Sequence, residues 1–175
     1  MWIGTTTPNN GLSKGIYHAK LNTENGELTQ PLLAAEINSP GFLALHPGGE
    51  VLYSTGTVDG KPSVVAFRIG RQSARIDLSM KNSQPTGDGG AAHIATDRTG
   101  KVLLSAQYGR GSTAIYPLAD DGSIGARSRL IKHEGGSGVR SRQDKPHAHW
   151  VGTSPDNRFV FVPDLGMDKV VIYRL

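Results

Sequence analysis

The chain has 175 residues, with 23 Gly, 10 Pro, no Cys, 6% aromatic residues and a formal net charge of +4. That length is enough for one sizeable core, and the missing Cys excludes disulfide frameworks, thiolate metal sites and Cys nucleophiles while leaving the redox compartment open. No apolar run approaches the ~18 residues a spanning helix needs, and the positive charge is spread along the chain, so the expectation is no membrane partner, no nucleic acid partner and a small anionic ligand instead.

The first residues, Met1-Trp2-Ile3-Gly4, carry neither a basic stretch nor a hydrophobic signal region. A cytoplasmic protein is expected, with an exported parent protein left open in case the N-terminus is incomplete. Helical periodicity is nearly absent, and short runs of Val, Ile, Leu, Tyr and Phe recur between turn clusters, which predicts an all-β protein. In chain order the predicted strands are 2–7, 15–21, 28–36, 42–45, 51–55, 63–69, 74–81, 92–96, 102–107, 112–118, 127–133, 148–153, 159–164 and 169–174. Asn25-Gly26, His46-Pro47-Gly48-Gly49, Asp59-Gly60, Asp121-Gly122 and Pro155-Asp156-Asn157 separate them as turn formers, because Gly, Asn and Asp tolerate positive φ and Pro presets a negative one.

An internal repeat organises these strands. His46-Pro47-Gly48-Gly49-Glu50-Val51-Leu52-Tyr53, Asp97-Arg98-Thr99-Gly100-Lys101-Val102-Leu103-Leu104 and Ser154-Pro155-Asp156-Asn157-Arg158-Phe159-Val160-Phe161 are each a tight turn followed by an apolar strand. The spacing is roughly 50–57 residues with about four strands per period, the interval of a β-propeller blade. A β-sandwich is also all-β, but its strands need not repeat at this interval. The prediction is a propeller of four-stranded blades: blade 1 over about 1–37, blade 2 over about 40–84, blade 3 over about 90–134 and a partial blade 4 over about 147–175. That is about three and a half blades, short of a closed ring.

The sequence resembles the seven-bladed β-propeller lactonase family, which includes bacterial 6-phosphogluconolactonases and carboxy-muconate lactonizing enzymes. The resemblance rests on Gly15-Ile16-Tyr17, Asn38-Ser39-Pro40-Gly41-Phe42-Leu43-Ala44-Leu45 and Gln107-Tyr108-Gly109-Arg110-Gly111-Ser112. It rests more strongly on His133-Glu134-Gly135-Gly136-Ser137-Gly138, on Arg142-Gln143-Asp144-Lys145-Pro146-His147-Ala148-His149 and on Phe161-Val162-Pro163-Asp164-Leu165-Gly166-Met167-Asp168. The chain departs from the family's pattern at Ala91-Ala92-His93 (Pro-x-His elsewhere), at Gln107 (Asn elsewhere) and at Gly56-Thr57 (often Asn-Glu).

His147 and His149 are two apart, so on an extended segment both project to one face. They suit a pocket in which one His activates water as general base and the other binds substrate; a metal pair or a hydrogen-bonded pair fixing a loop are the other readings. His93 opens its blade as His149 opens the next, so both can approach a central channel. Segment 134–146 is the longest interruption of the strand pattern and carries Arg140, Arg142 and Lys145; a loop of this kind is often functional, although Arg140 and Lys145 read better as solvated. Arg142 has the planar fork for a carboxylate, a phosphate or an oxyanion. Asp164 ends a strand, where it can orient a His or bond to loop backbone. Gly109-Arg110-Gly111 lacks the Lys-Ser/Thr and helix of a phosphate-binding loop and reads as a hairpin turn.

The resemblance implies catalytic roles for His147, His149 and Arg142 and substrate-binding roles for His93, Gln143, His133, Gln107 and Asp164. It calls for no metal and no cofactor. The expected activity is hydrolysis of a sugar-derived lactone such as 6-phosphogluconolactone, with a small anionic lactone or sugar acid as partner. A muconate-type cycloisomerase and a non-catalytic binding scaffold are the alternatives. The family site also draws an Arg and a Glu from later blades, so the expectation includes an inactive fragment and self-association through exposed blade edges.

Overall fold

The computed structural model describes residues 1–7, 11–72, 75–139 and 141–175, and the described residues form strands, turns and loops with no helix. β1 (Trp2–Ile3), β2 (Gly15–His18) and β3 (Leu32–Glu36) make the first sheet. β4 (Leu43–Leu45), β5 (Val51–Val58), β6 (Lys61–Gln72) and β7 (Arg75–Pro85) make the second. The third holds β8 (Ala91–Thr96), β9 (Val102–Gln107), β10 (Ser112–Pro117) and β11 (Arg129–Lys132), and the fourth β12 (Gly152–Thr153), β13 (Phe159–Asp164) and β14 (Lys169–Arg174). Every pairing is antiparallel between chain neighbours, the up-and-down order of propeller blades.

Side-chain alternation explains the stacking. Leu52 and Val65 face the first sheet with Ile16, Ala34, Phe67 and Leu78, whereas Val51, Tyr53, Val64 and Ala66 face the third with Ile94, Leu103 and Tyr116. Leu104 and Ala106 then face the fourth sheet with Ala148, Val151, Val160 and Val162. Residues 51–56 are all buried because both faces of β5 are covered, and the period of two sends adjacent side chains into different cores. The outer face of the fourth sheet has no such cover, leaving Val170 and Ile172 54% and 57% exposed.

The repeated turns also join the blades. His46 Nε2 lies 3.2 Å from the Gly100 carbonyl, and Asn157 Nδ2 donates to Asp97 Oδ2 (2.9 Å) while Arg98 N donates to Asn157 Oδ1 (3.0 Å). The first two turns therefore each contact the equivalent turn of the next blade.

Strand ends differ from expectation for local reasons. Asp59 (φ 49°) and Gly60 (φ 71°) both take positive φ, so a two-residue hairpin matches the strand twist and carries pairing from Thr55 on to Val58↔Lys61. The third predicted strand starts at Leu32 rather than Leu28, just after Pro31, which has no N–H to give a ladder. Only Gly152–Thr153 of predicted strand 148–153 pairs as strand, and Ala148 keeps a single bridge to Asp164. Ala74 of predicted strand 74–81 and Arg140 lie outside the described residues.

Candidate functional site

Three connections meet at one end of the third and fourth sheets: the 108–111 hairpin, the 133–151 loop and the turn after Asp164. The backbone geometry of that junction is tight. A Cβ on Gly166 would stand 1.7 Å from the Lys145 carbonyl oxygen, and one on Gly111 would stand 2.2 Å from Pro146 Cβ. Only glycine lets these connections close on each other.

Asp164 is the buried anchor. Its Oδ1 accepts the backbone N–H of His147 (2.7 Å) and of Met167 (3.1 Å), and its Oδ2 pairs with His133 Nδ1 (2.7 Å). Nδ1 must carry a proton to face a carboxylate. The far nitrogen of His133, Nε2, meets Thr113 Oγ1 (3.2 Å) and Tyr173 OH (2.9 Å). Both side chains are almost fully buried, so neither reaches solvent.

Tyr108 gathers the exposed side of the site. Its ring stacks on His147 (centroids 4.4 Å apart, planes at 19°) and meets His149 edge-on (5.3 Å, 81°). Its OH accepts from Arg142 Nη2 at 3.2 Å, and its carbonyl lies 2.8 Å from His147 Nδ1. A carbonyl only accepts, so His147 is held as the Nδ1–H tautomer and its Nε2 is left as an acceptor without a protein partner among the described residues. His149 is exposed, as is Arg142.

His93 projects from β8 between the rings of Phe42 (4.0 Å) and Trp150 (5.3 Å), with its Nδ1 facing the Val151 N–H at 3.4 Å. Burial, and then the neighbouring His149, hold it at about 4, well below its ordinary value. The unfolded chain therefore binds more protons than the folded one between about pH 4 and pH 6.5. Stability from this group is complete above the upper limit and falls as the pH drops toward the lower one. Thermal melts at pH 7, 5.5 and 4 are expected to show that decline, and His93→Gln is expected to flatten it; parallel curves for both proteins would contradict this.

The site expectations sort by burial. His147, His149 and Arg142 meet on Tyr108, and His93 stands near His149. His147 and His149 share that ring, with His147 buried and His149 exposed. The cause is the double tether of His147 to Asp164 and Tyr108. Gln143 braces the loop, donating to the Leu165 carbonyl (2.9 Å) and accepting from Ser137 Oγ (3.2 Å). His133 and Asp164 are spent on each other. The structure does not bring Gln107 to the site: it is fully buried, with its amide 3.0 Å from Ser105 Oγ and close to Ser112. His133, Asp164 and Gln107 thus have protein partners inside the fold. Tyr108 and Trp150 also stand at this junction, and the 107–112 segment carries the sequence signal for Tyr108. Among the described residues no group of three or more His, Cys, Asp or Glu stands together as a metal-binding set.

Stacked antiparallel sheets of three and four strands in sequence order, with polar side chains gathered where the connections meet, define a propeller with a candidate site on one end. The family model described as "Lactonase, 7-bladed beta-propeller" matches residues 1–175, and the chain belongs to that family. The Bacillus subtilis 6-phosphogluconolactonase is 34% identical over 174 residues, covering 99% of this chain and 48% of that protein. The structure of the Pseudomonas aeruginosa periplasmic gluconolactonase superposes with a TM-score of 0.86 at 28% identity, over 99% of this chain and 49% of that one. A Lactobacillus plantarum protein gives a TM-score of 0.80 at 31% identity, over 99% and 48%. The chain spans about half the length of the curated relatives it matches. No helix among the described residues is long and apolar enough to cross a membrane.

Proposed function

We propose that this chain supplies half of a lactonase that hydrolyses a sugar-derived lactone such as 6-phosphogluconolactone. The observation that carries the reading is the convergence of His147, His149 and Arg142 on Tyr108, with the His147 tautomer fixed so that Nε2 accepts a proton. In this reading His147 Nε2 takes a proton from water as the oxygen attacks the lactone carbonyl. Arg142 and the neutral His93 ring supply donors to the oxyanion. Collapse of the tetrahedral intermediate breaks the ring C–O bond, and the proton on His147 passes to the departing oxygen to give the hydroxy acid. His149, exposed at the mouth, binds substrate.

A phosphorylated substrate does not cross a bilayer unaided, so this reading goes with a cytoplasmic protein. The uncovered Val170–Ile172 face and the free edge of β14 fit self-association of this segment when it stands alone. The test is proton release from 6-phosphogluconolactone and gluconolactone by the whole protein, against the spontaneous rate. Acceleration is the expected result. Formation of a lactone from a carboxylated muconate without hydrolysis would instead establish a cycloisomerase, and neither reaction would leave a binding scaffold.

A further inference from the structure

Phe42, His93 and Trp150 form a row of rings across three sheets. Phe42 immediately precedes β4, His93 lies in β8 and Trp150 stands two residues before β12, so the row follows the first strands of the second, third and fourth sheets. His93 is the middle ring, with centroids 4.0 Å from Phe42 and 5.3 Å from Trp150 and planes tilted by 46° and 42°. Burial above all holds His93 at about 4, so the row is uncharged at neutral pH. Trp150 ends the row and is 42% exposed. Its indole lies against the backbone of β12 because Gly152 has no side chain: a Cβ there would stand 2.1 Å from Trp150 Cη2. The indole N–H has no protein partner among the described residues. A large apolar ring is thus positioned by its neighbours while much of its surface stays open and its one donor stays unused.

The row adjoins the polar side of the site. His149 is the chain neighbour of Trp150, and it meets Tyr108, on which Arg142 and His147 also converge. A ligand with its carbonyl at His147 and Arg142 therefore has an aromatic surface beside it. A hydroxylated six-membered ring is amphipathic in a matching way: equatorial hydroxyls point round its rim, and axial C–H groups present a flat apolar face. Opening the ring removes that face and frees the carbon chain to rotate. The open acid then gains less from the indole and loses more entropy in lying against it. Arg142 acts in the opposite direction, because a guanidinium attracts a carboxylate more strongly than a neutral carbonyl. Charge alone would leave the site held by its product.

We propose that Trp150 is a specificity-determining residue of this site, whose exposed indole stacks on the C–H face of the closed substrate ring and so favours the lactone over the opened acid. The proposal rests on the lactonase reading and deepens it, since it names the residue that separates ring from product. Phe42 and His93 back the indole from one side, and Gly152 sets its tilt along β12.

The test is calorimetric titration of the whole protein with gluconolactam, an uncharged closed ring in which N–H replaces the ring oxygen, and with gluconate, the opened acid. Trp150→Ala is expected to bind the lactam roughly three- to ten-fold more weakly, the range of an aromatic face contact, with gluconate affinity within about two-fold of wild type. Trp150→Phe is expected to recover most of the lactam affinity while losing the change in tryptophan emission that the lactam causes in the wild type. In gluconolactone turnover, Trp150→Ala is expected to raise KM several-fold with kcat little changed. No lactam binding by the wild type, lactam affinity unchanged in Trp150→Ala, or a drop shared equally by gluconate overturns the proposal. So does a Trp150→Phe protein that binds the lactam no better than Trp150→Ala. Gluconolactone hydrolysis alongside any of these leaves the lactonase reading standing. Selective loss of lactam binding in Trp150→Ala, in a protein that opens no lactone, upholds the ring contact and removes the lactonase reading.

Discussion

Asp164→Ala is expected to destabilise the protein by about 3–5 kcal/mol, because it leaves several donors of the buried junction without an acceptor. Three donors lose their acceptor at once: His133 Nδ1–H and the backbone N–H groups of His147 and Met167. Donors left unpaired cost about 1–3 kcal/mol each, and three of them account for a loss of that size. For a chain of this size the loss corresponds to a fall in melting temperature of roughly 10 °C. Asp164→Asn separates charge from hydrogen bonding. Its carbonyl oxygen can still accept from the two backbone groups, while its amide would face His133 Nδ1 and require the other tautomer there, for which Thr113 and Tyr173 can act as acceptors. About half the destabilisation is expected, with the loop largely kept. Thermal unfolding of both variants decides the matter: an Asp164→Ala protein within about 1 kcal/mol of wild type would contradict the anchoring role.

The architecture was legible because propellers write their structure locally. The Asp59-Gly60 hairpin, the Asp97 turn and the alternation of Leu52 and Tyr53 all act within a few residues, where sequence pattern is informative. Boundaries slipped where a neighbour decided the outcome. β6 and β7 run well past their predicted ends because each supplies the other's ladder, and predicted strand 148–153 pairs with β13 only at Ala148 and Gly152–Thr153.

The site was legible in its residue types and not in its arrangement. His147, His149 and Arg142 stand out by spacing and charge, but the contacts that give them roles span tens of residues. Tyr108 reaches His147 across 39 positions, and His133 reaches Asp164 across 31. Nothing in the local sequence distinguishes a His that faces a substrate from one that braces a carboxylate. Gln107 shows the same limit in a strand. The resemblance implies a substrate-binding role for it, and both faces of the third sheet are covered, so the amide is satisfied inside by Ser105 and Ser112.

Loss of the acceptor nitrogen of His147 is expected to have the largest effect on turnover. His147→Asn is the informative change, because its amide N–H can still donate to the Tyr108 carbonyl while no basic nitrogen remains. The backbone N–H of residue 147 is untouched and continues to donate to Asp164. Stability should therefore stay near wild type, while kcat for lactone opening falls about 10²–10⁴-fold, the usual contribution of a positioned general base. His149→Ala predicts a different pattern. That ring is exposed and only edges against Tyr108, so its loss should raise KM with a small effect on kcat, the pattern of a residue that binds substrate without moving the proton. The two variants together identify the base. If His147→Asn keeps turnover within about ten-fold of wild type and His149→Ala abolishes it, the proton passes to His149, and the buried His147 ring serves only to hold Tyr108 beneath it.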